Sequence, residues 1–517
     1  MPRPRFAAAI ALLCMVFLAG CTPATPESAA APAQLSPPTP SAAPLAPTTP
    51  PPTVTPTPTT FPANATIAGV PVAGLTLAEA SDRVRAKLAN LPALELRAGA
   101  ARLSIAPTTI ALTAPVDELL AEARSALAAG GAVAVPLRLS CDTVALRARL
   151  TALTVEVGSA ATLTVLTTTD VLSRSFAYTP GQVLELDAAV KQISAALAAG
   201  QIEPLTLALG HSPTVPRVPL AQLRDEVVAL TKRLPSGSVV GFHLTDLASG
   251  ESIGVNDRTV FSGASTIKVA IMLNLYTKLA QFTEQQNLWL SAMIRDSDNL
   301  AANGLLAAIA GGEGTEYAFI GADQMSTLLE TQLGLRHTYL YIPFEAIDYI
   351  KLYKPKFHCG PNGPVGAKPY TEMGACLRAE PASMASLYEM IDQCANGKGL
   401  LLTKFERLKP QRCQAMLDWL AQNDDQTRMV AGVPAGVRVE HKSGWIEDMQ
   451  ADTGIVRSPQ GDYVLSIYYY RSLVPGRDQW TDEEMAPVVA AFSRLAYTAY
   501  NPVKVSGAGV QVSGRAH

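Results

Sequence analysis

Between Cys21 and Pro62 the chain carries 14 prolines and ten threonines in 42 residues, with no glycine and one charge, Glu27. Proline fixes φ and removes a backbone donor, so neither a helix nor a sheet ladder propagates through such a run. Residues 22–62 are therefore a linker that favours polyproline II, and at about 3.1 Å per residue it reaches on the order of 100 Å. Whatever packs a core must lie beyond it, and the stretch from residue 63 onward leaves room for two domains.

Residues 1–21 have the layout of an export signal: Arg3 and Arg5 supply positive charge, Phe6 to Leu18 form a 13-residue apolar core, and Leu18-Ala19-Gly20-Cys21 follows. The apolar core is short for a stable membrane span, which takes about 20 residues. The closing tetrapeptide resembles the lipobox of bacterial lipoproteins. That resemblance implies that Cys21 is diacylated and becomes the N-terminus, so that the protein is exported and lipid-anchored to the outer face of the cytoplasmic membrane or cell envelope. An ordinary secretory signal is the plainer alternative. In either case the linker holds the remainder out towards the cell wall.

The 41 basic and 44 acidic side chains leave a net charge of −3, without the basic excess that nucleic-acid binding needs, and no nucleic-acid partner is expected. The six histidines are scattered and none forms H-x-x-x-H, and no glycine loop is built to cradle phosphates, so neither a metal nor a cofactor is expected. Cys359, Cys376, Cys394 and Cys413 stand 17 to 19 residues apart without C-x-x-C spacing, which in an oxidising compartment predicts two disulfides. Three pairings are open.

Two folded regions are expected, with boundaries at 63–215 and 216–503 and a tail at 504–517. In the first, Thr76 and Glu79 form a capping box ahead of a helix with Ala80, Val84 and Leu88 on one face, and a strand is expected over Leu94 to Ile105. The pattern partly recurs: Pro180-Gly181-Gln182-Val183-Leu184 opens a helix with Ala189, Ile193 and Leu197 on one face, then Leu205 to Leu209 is a strand. The opening Gly69-Val70-Pro71-Val72-Ala73-Gly74-Leu75-Thr76 and the Pro180-Gly181 element resemble peptidoglycan-binding modules of wall-associated lipoproteins. An α+β spacer without a ligand accounts for the same residues.

The second region carries chemistry. Ser265-Thr266-Ile267-Lys268 opens a long apolar helix and places a hydroxyl and an amine one turn apart. Serine is a weak nucleophile until a base takes its proton, and a lysine serves when burial or neighbouring cations lower its pKa. Ser297-Asp298-Asn299 sits at a junction between two helices. Lys442-Ser443-Gly444 follows the alternating Val437-Arg438-Val439-Glu440-His441, a strand whose end presents Lys442 and Ser443. Each motif arises readily by chance; the three in this order do not.

S-x-x-K, S-D-N and K-[ST]-G in this order resemble class A β-lactamases and their penicillin-binding relatives over about residues 216–502. The resemblance implies an α+β (α/β) fold: an antiparallel sheet flanked by helices with a helical subdomain, preceded here by the smaller α+β module. Ser265 would be the acylated nucleophile, Lys268 its general base, and Ser297 the relay to the leaving nitrogen. Asp298 would brace the junction and Asn299 would contact the substrate amide. Lys442 and Ser443 would hold the substrate carboxylate, Gly444 would line the site, and the N–H groups of Ser265 and Trp445 would form the oxyanion hole. The expected activity is β-lactam hydrolysis through an acyl-serine. The alternatives are a D,D-peptidase or penicillin-binding protein acting on D-alanyl-D-alanine-like peptides with slow deacylation, or a non-catalytic wall-binding lipoprotein.

Two departures stand out. Only 28 residues separate Lys268 from Ser297, which predicts an open cleft. No E-x-x-L-N stands between Asn299 and Pro381, so the water-activating carboxylate is unassigned. Glu345 and Glu372 are available, and the plainer expectation for each is a surface charge on a loop.

Overall fold

The computed structural model describes residues 60–168, 170, 172–357, 359–360 and 376–505. The expected export signal with Cys21, nearly all of the expected linker, Glu372 and residues 506–517 lie outside them. The folded part begins just before the expected boundary at 63. Phe61 is buried, its N–H donates to the Leu75 carbonyl at 2.9 Å, and its own carbonyl accepts from Gly74, so Phe61 belongs to the fold.

The first region has two small cores. The helix Leu77–Leu88 starts on the expected capping box, with Thr76 and Glu79 each accepting the other's backbone N–H. It buries Ala80 and Val84 with Leu119 and Ala123 of the helix Val116–Ala128. In the second core the helices Thr143–Val157 and Leu186–Ala198 pack on a hairpin, Leu94–Ala98 with Ala101–Ile105. The expected single strand is folded back because Gly99 takes a left-handed φ of +56°. Of the two helix-then-strand units, the strands lie side by side, with Leu96 opposite Leu205 in parallel register, while their helices belong to different cores.

The second region is built on five antiparallel strands. In chain order its main elements are α1 (Leu220–Thr231), β1 (Ser238–Asp246), β2 (Ser252–Val255), α2 (Lys268–Lys278), α3 (Glu284–Arg295), α4 (Asn299–Ile309), α5 (Pro381–Ala395), α6 (Pro410–Leu420), β3 (Arg438–Ile446), β4 (Met449–Arg457), β5 (Tyr463–Arg471) and α7 (Asp482–Tyr500). The strand order is β2-β1-β5-β4-β3. Side chains alternate between faces along a strand, so in β5 Val464 and Tyr468 enter the core with α2 to α6, while Tyr463, Leu465, Ile467 and Tyr469 enter the core under α1 and α7. Both faces are covered, which is why β5 is a nearly unbroken apolar run. α2 is buried on every side from Lys268 to Thr277, so the amine of Lys268 is delivered into the protein rather than to its surface.

The hairpin Thr162–Thr167 with Arg174–Thr179 belongs by sequence to the first region but docks on α7. Phe176 shares the α7 core, and its N–H donates to Thr498 Oγ1 at 3.0 Å. Val503 and Lys504 join this hairpin as a parallel strand, so this strand includes residue 504, the expected start of the tail.

Candidate active site

The turn before α2 sets Ser265, the expected nucleophile. Ala264 to Ile267 form one tight 3-10 turn, and Ala264 is held at φ +41°, a conformation that costs a non-glycine residue free energy. The turn is pinned to the sheet: Thr266 Oγ1 donates to the Gly263 carbonyl at 2.6 Å and lies 2.7 Å from the Tyr468 hydroxyl on β5. Ser265 and Lys268 therefore face one another, with Lys268 Nζ 3.0 Å from Ser265 Oγ.

Lys268 Nζ is also the point where the second motif converges. It donates to the Ser297 carbonyl, to Ser297 Oγ at 3.2 Å and to Asn299 Oδ1 at 2.7 Å. Ser297 stands at φ +58°, and this left-handed backbone turns both its carbonyl and its hydroxyl towards the amine. Asp298 braces the junction as the N-cap of α4, its Oδ1 accepting from Ala301 N at 2.6 Å. Burial, then the positive charge of Lys442, pulls the Lys268 ammonium down to about 7, against the carboxylates of Asp298 and Glu345. An amine poised there is an effective proton acceptor near neutrality.

The third motif lies inside β3 rather than at its end. Lys442 pairs with Thr453, Ser443 with Asp452, Gly444 with Ala451 and Trp445 with Gln450, and the ladder continues to Ile446. Gly444 is where β3 meets the nucleophile turn: a Cβ there would stand 2.7 Å from Ser265 N and 2.9 Å from Thr266 N. Only glycine allows that approach. The backbones of Ser265 and of β3 are thus in contact next to the expected oxyanion donors, while the Trp445 side chain is exposed. Lys442 is fully buried, and burial lowers its pKa to about 8 against the carboxylates of Asp452 and Asp425.

Besides Glu345, one of the two carboxylates the sequence offered, four residues stand at the site that no motif assigns: Asn303, Phe344, Asp425 and Arg428. Glu345, expected as a surface charge, accepts from Asn299 Nδ2 at 2.7 Å, so one amide bridges it to Lys268. The backbone carrying it is clamped by Asn303, whose Nδ2 donates to the Phe344 carbonyl at 2.7 Å and whose Oδ1 accepts from Phe344 N at 3.0 Å. The Phe344 ring lies under Lys268, 4.7 Å from Nζ to its centroid. Asn299 and Asn303 are one helical turn apart, a spacing visible in the sequence. Near Ser443 stand Asp425 and Arg428, which no motif marks.

The model of the β-lactamase enzyme family matches residues 222–288 and 285–501, more than half of the 517-residue chain. The chain belongs to that family. Among solved structures it is similar to a mutant of PBP-A in an acyl-enzyme complex with penicillin G, at 21% identity over 56% of this chain and 99% of that one, with a TM-score of 0.41. PBP-A itself matches at 22% identity over 56% and 99%, with a TM-score of 0.40. The ancestral class A β-lactamase GNCA matches at 22% identity over 54% and 100%, with a TM-score of 0.38. No curated protein matches the chain.

Two disulfides cross-link this β-lactamase-family region. Cys359 pairs with Cys376 and Cys394 with Cys413, choosing one of the three open pairings. The second bond is buried and ties α5 to α6. Among the described residues no group of three or more His, Cys, Asp and Glu side chains could hold a metal.

Proposed function

We propose that this member of the β-lactamase family hydrolyses β-lactams through an acyl-serine at Ser265. The observation that carries the proposal is the convergence on Lys268 Nζ of Ser265 Oγ, Ser297 Oγ and an Asn299 amide that leads to Glu345. In acylation, neutral Lys268 takes the Ser265 proton while Oγ bonds to the lactam carbonyl. The C–N bond then breaks, and the proton passes through Ser297 to the leaving nitrogen. The helix N-terminus and the N–H groups of Ser265 and Trp445 stabilise the oxyanion. In deacylation, Glu345 takes a proton from water, which bonds to the acyl carbon, and Ser265 Oγ leaves with a proton.

A second reading is a penicillin-binding or D,D-peptidase activity on D-alanyl-D-alanine-like wall peptides with slow deacylation. It is favoured by the exposure of Glu345, since a carboxylate open to solvent holds a water in one place less firmly than an enclosed one does. Export, anchoring at Cys21 and contact with peptidoglycan complete the proposal, supported by the residue pattern of 1–62.

The test follows the intact mass of the purified full chain after addition of a penicillin, alongside Ser265→Ala. A transient adduct with accumulating hydrolysed drug is expected. A stable adduct supports the second reading, and labelling unchanged in Ser265→Ala overturns the assignment of the nucleophile.

A further inference from the structure

For the first region the residue pattern admits two readings, a wall-binding module and a spacer without a ligand. A spacer has no need of a cavity, yet one of about 530 Å³ opens where the two small cores of this region meet. That volume is in the range of small-molecule sites, which form preferentially at joints between packed units. The floor is apolar. Val70 belongs to the core under the helix Leu77–Leu88, Leu91 packs at the edge of the other core, and Leu137 packs against both. Ile202 adds a wall. The backbone leading to it is fixed by the end of the helix Leu186–Ala198, where Gly200 N donates to the Leu197 carbonyl and Gln201 N to the Ala196 carbonyl, both at 2.9 Å. Ile202 is nevertheless left 39% exposed, so its apolar surface remains available to a ligand.

The charge in the lining is of one sign. Arg83 and Lys87 stand one turn apart on the helix Leu77–Leu88 and both line the cavity, whereas no aspartate or glutamate does. Elsewhere in this region arginines on helices and strands are matched by acids: Arg85 pairs with Asp117, Arg138 with Glu122 and Arg147 with Asp187. Arg83 reaches only the Pro71 carbonyl, at 3.4 Å, and among the described residues neither it nor Lys87 has a carboxylate partner. The end of a helix favours a cation in its last turn, which accounts for Lys87 but not for Arg83 a turn earlier. Asn90, just past the helix end, lines the same cavity with an amide that can donate.

From this arrangement we infer that the cavity is a binding site for a short apolar chain that ends in a carboxylate. The chain lies on Val70, Leu91, Leu137 and Ile202, and the carboxylate is taken by Arg83 and Lys87. The C-terminus of an apolar peptide and a fatty acid share that chemistry. A bare phosphate would leave the apolar floor unused, and a neutral sugar would leave both cations unmatched. The cavity shares no residue with the Ser265 site, and the inference does not rest on the acyl-serine reading.

The experiment is isothermal titration calorimetry on the full chain and on its Arg83→Gln, Lys87→Gln double variant. The ligands are octanoate with octanamide, and acetyl-leucyl-leucine with its C-terminal amide. Both substituted side chains are exposed, so the double variant keeps its fold and is acylated by a penicillin as the native protein is, which circular dichroism and intact mass check. In the native protein a carboxylate is expected to bind at least about tenfold more tightly than its amide, the scale of one charge-assisted hydrogen bond in a partly exposed site, and the advantage should shrink as salt is raised. In the double variant the advantage should fall to about twofold or less while the amides bind as before.

A tenfold advantage in the octanoate pair alone supports the inference with an acyl chain as the source, and in the peptide pair alone with a peptide terminus; in both it supports the shared chemistry. Equal binding of carboxylate and amide in both pairs overturns the inference, as does an advantage that survives in the double variant. Absence of binding by all four ligands at millimolar concentration overturns it too and leaves the first region a spacer. None of these results touches the acyl-serine reading.

Discussion

Replacing Glu345 with glutamine separates the two halves of the proposed reaction. Glutamine keeps an oxygen that can accept from Asn299 Nδ2, so the 2.7 Å bridge and the 2.7 Å contact from Asn299 to Lys268 both survive, and only the charge and the basicity are lost. Acylation uses Lys268, Ser265 and Ser297, whose contacts with one another the change leaves in place. Deacylation loses its general base, and a positioned base contributes roughly 10²- to 10⁴-fold. Steady-state hydrolysis should therefore fall by about that factor, on the order of 3–5 kcal/mol of barrier, while the burst amplitude approaches one acyl group per chain. Stopped-flow absorbance with a chromogenic cephalosporin gives the burst and the slow phase, and intact mass shows the adduct.

The same substitution makes a second, independent demand. The Glu345 carboxylate is one of two groups that hold the Lys268 proton in place, so removing it lowers the Lys268 pKa further below about 7. Lysine acts as a base when neutral. The acylation rate therefore rises with pH through about 7 in the native protein, and in Glu345→Gln that limb moves to lower pH. Unchanged turnover without adduct would refute Glu345 as the deacylating base. An unmoved acylation limb would refute the electrostatic coupling through Asn299.

Further outcomes follow from the same geometry. Lys268→Met removes an amine that the folded state must hold in a buried site, so the variant should melt higher than the native protein at pH 6; because the native pKa is depressed from 10.5 to about 7, the cost to the native fold fades as pH rises across that window and the difference in Tm should shrink by pH 10. Gly444→Ala places a methyl group 2.7 Å from Ser265 N and should reduce acylation strongly while the fold persists, read by adduct formation and circular dichroism. Asn303→Ala frees the Phe344 backbone and should slow deacylation about tenfold and acylation by less, since that backbone leads to Glu345 while the Phe344 ring lies under Lys268. Cys394→Ala with Cys413→Ala opens a 19-residue separation in the core and should lower stability by about 3 kcal/mol in chemical denaturation.

The acylating half of the site was legible because it is local. Ser265 and Lys268 are one turn apart on a helix, Asp298 is an N-cap, and such spacings are written in consecutive residues. The Lys442 strand was legible by alternation but was ended too early. Glycine in a strand usually marks a break, whereas Gly444 sits inside the ladder because the Ser265 backbone presses against it. Glu345 could be named only as one of two available carboxylates; its contact with Asn299 was not legible, since it spans 46 residues from a turn at φ +57° with no periodic pattern around it. Asn303 carried a usable clue in its i, i+4 spacing from Asn299. The placement of Asp425 and Arg428 depends on how their loop lies against β3, which no spacing in the sequence records. Likewise the helices of the first region follow their apolar period, but the docking of Phe176 on α7 is a tertiary choice.

The short connection between Lys268 and Ser297 poses one more question: what holds α2 and α3 in register when residues 279–283 are all that joins them. Arg412 on α6 answers it. Its guanidinium donates to the carbonyls of Tyr276 at 3.1 Å, Leu279 at 2.7 Å and Ala280 at 2.7 Å, and it lies 4.8 Å from the Tyr276 ring centroid. These carbonyls are at and just beyond the C-terminal end of α2, where a helix leaves acceptors unsatisfied and favours a cation. Arg412→Ala leaves them without that donor and removes the stacking, which should cost about 3 kcal/mol, since bonds to a charged donor are worth more than neutral ones but do not add. Lys268 is at the opposite end of α2, ten residues away, and its contacts come from the Ser265 turn, the α3–α4 junction, the start of α4 and the Phe344 ring. Acylation per folded molecule at 25 °C should therefore match the native protein while the denaturation midpoint falls. Loss of acylation at unchanged stability would show that the α2–α3 connection positions the nucleophile, and that the acylating half of the site is less local than its spacing implies.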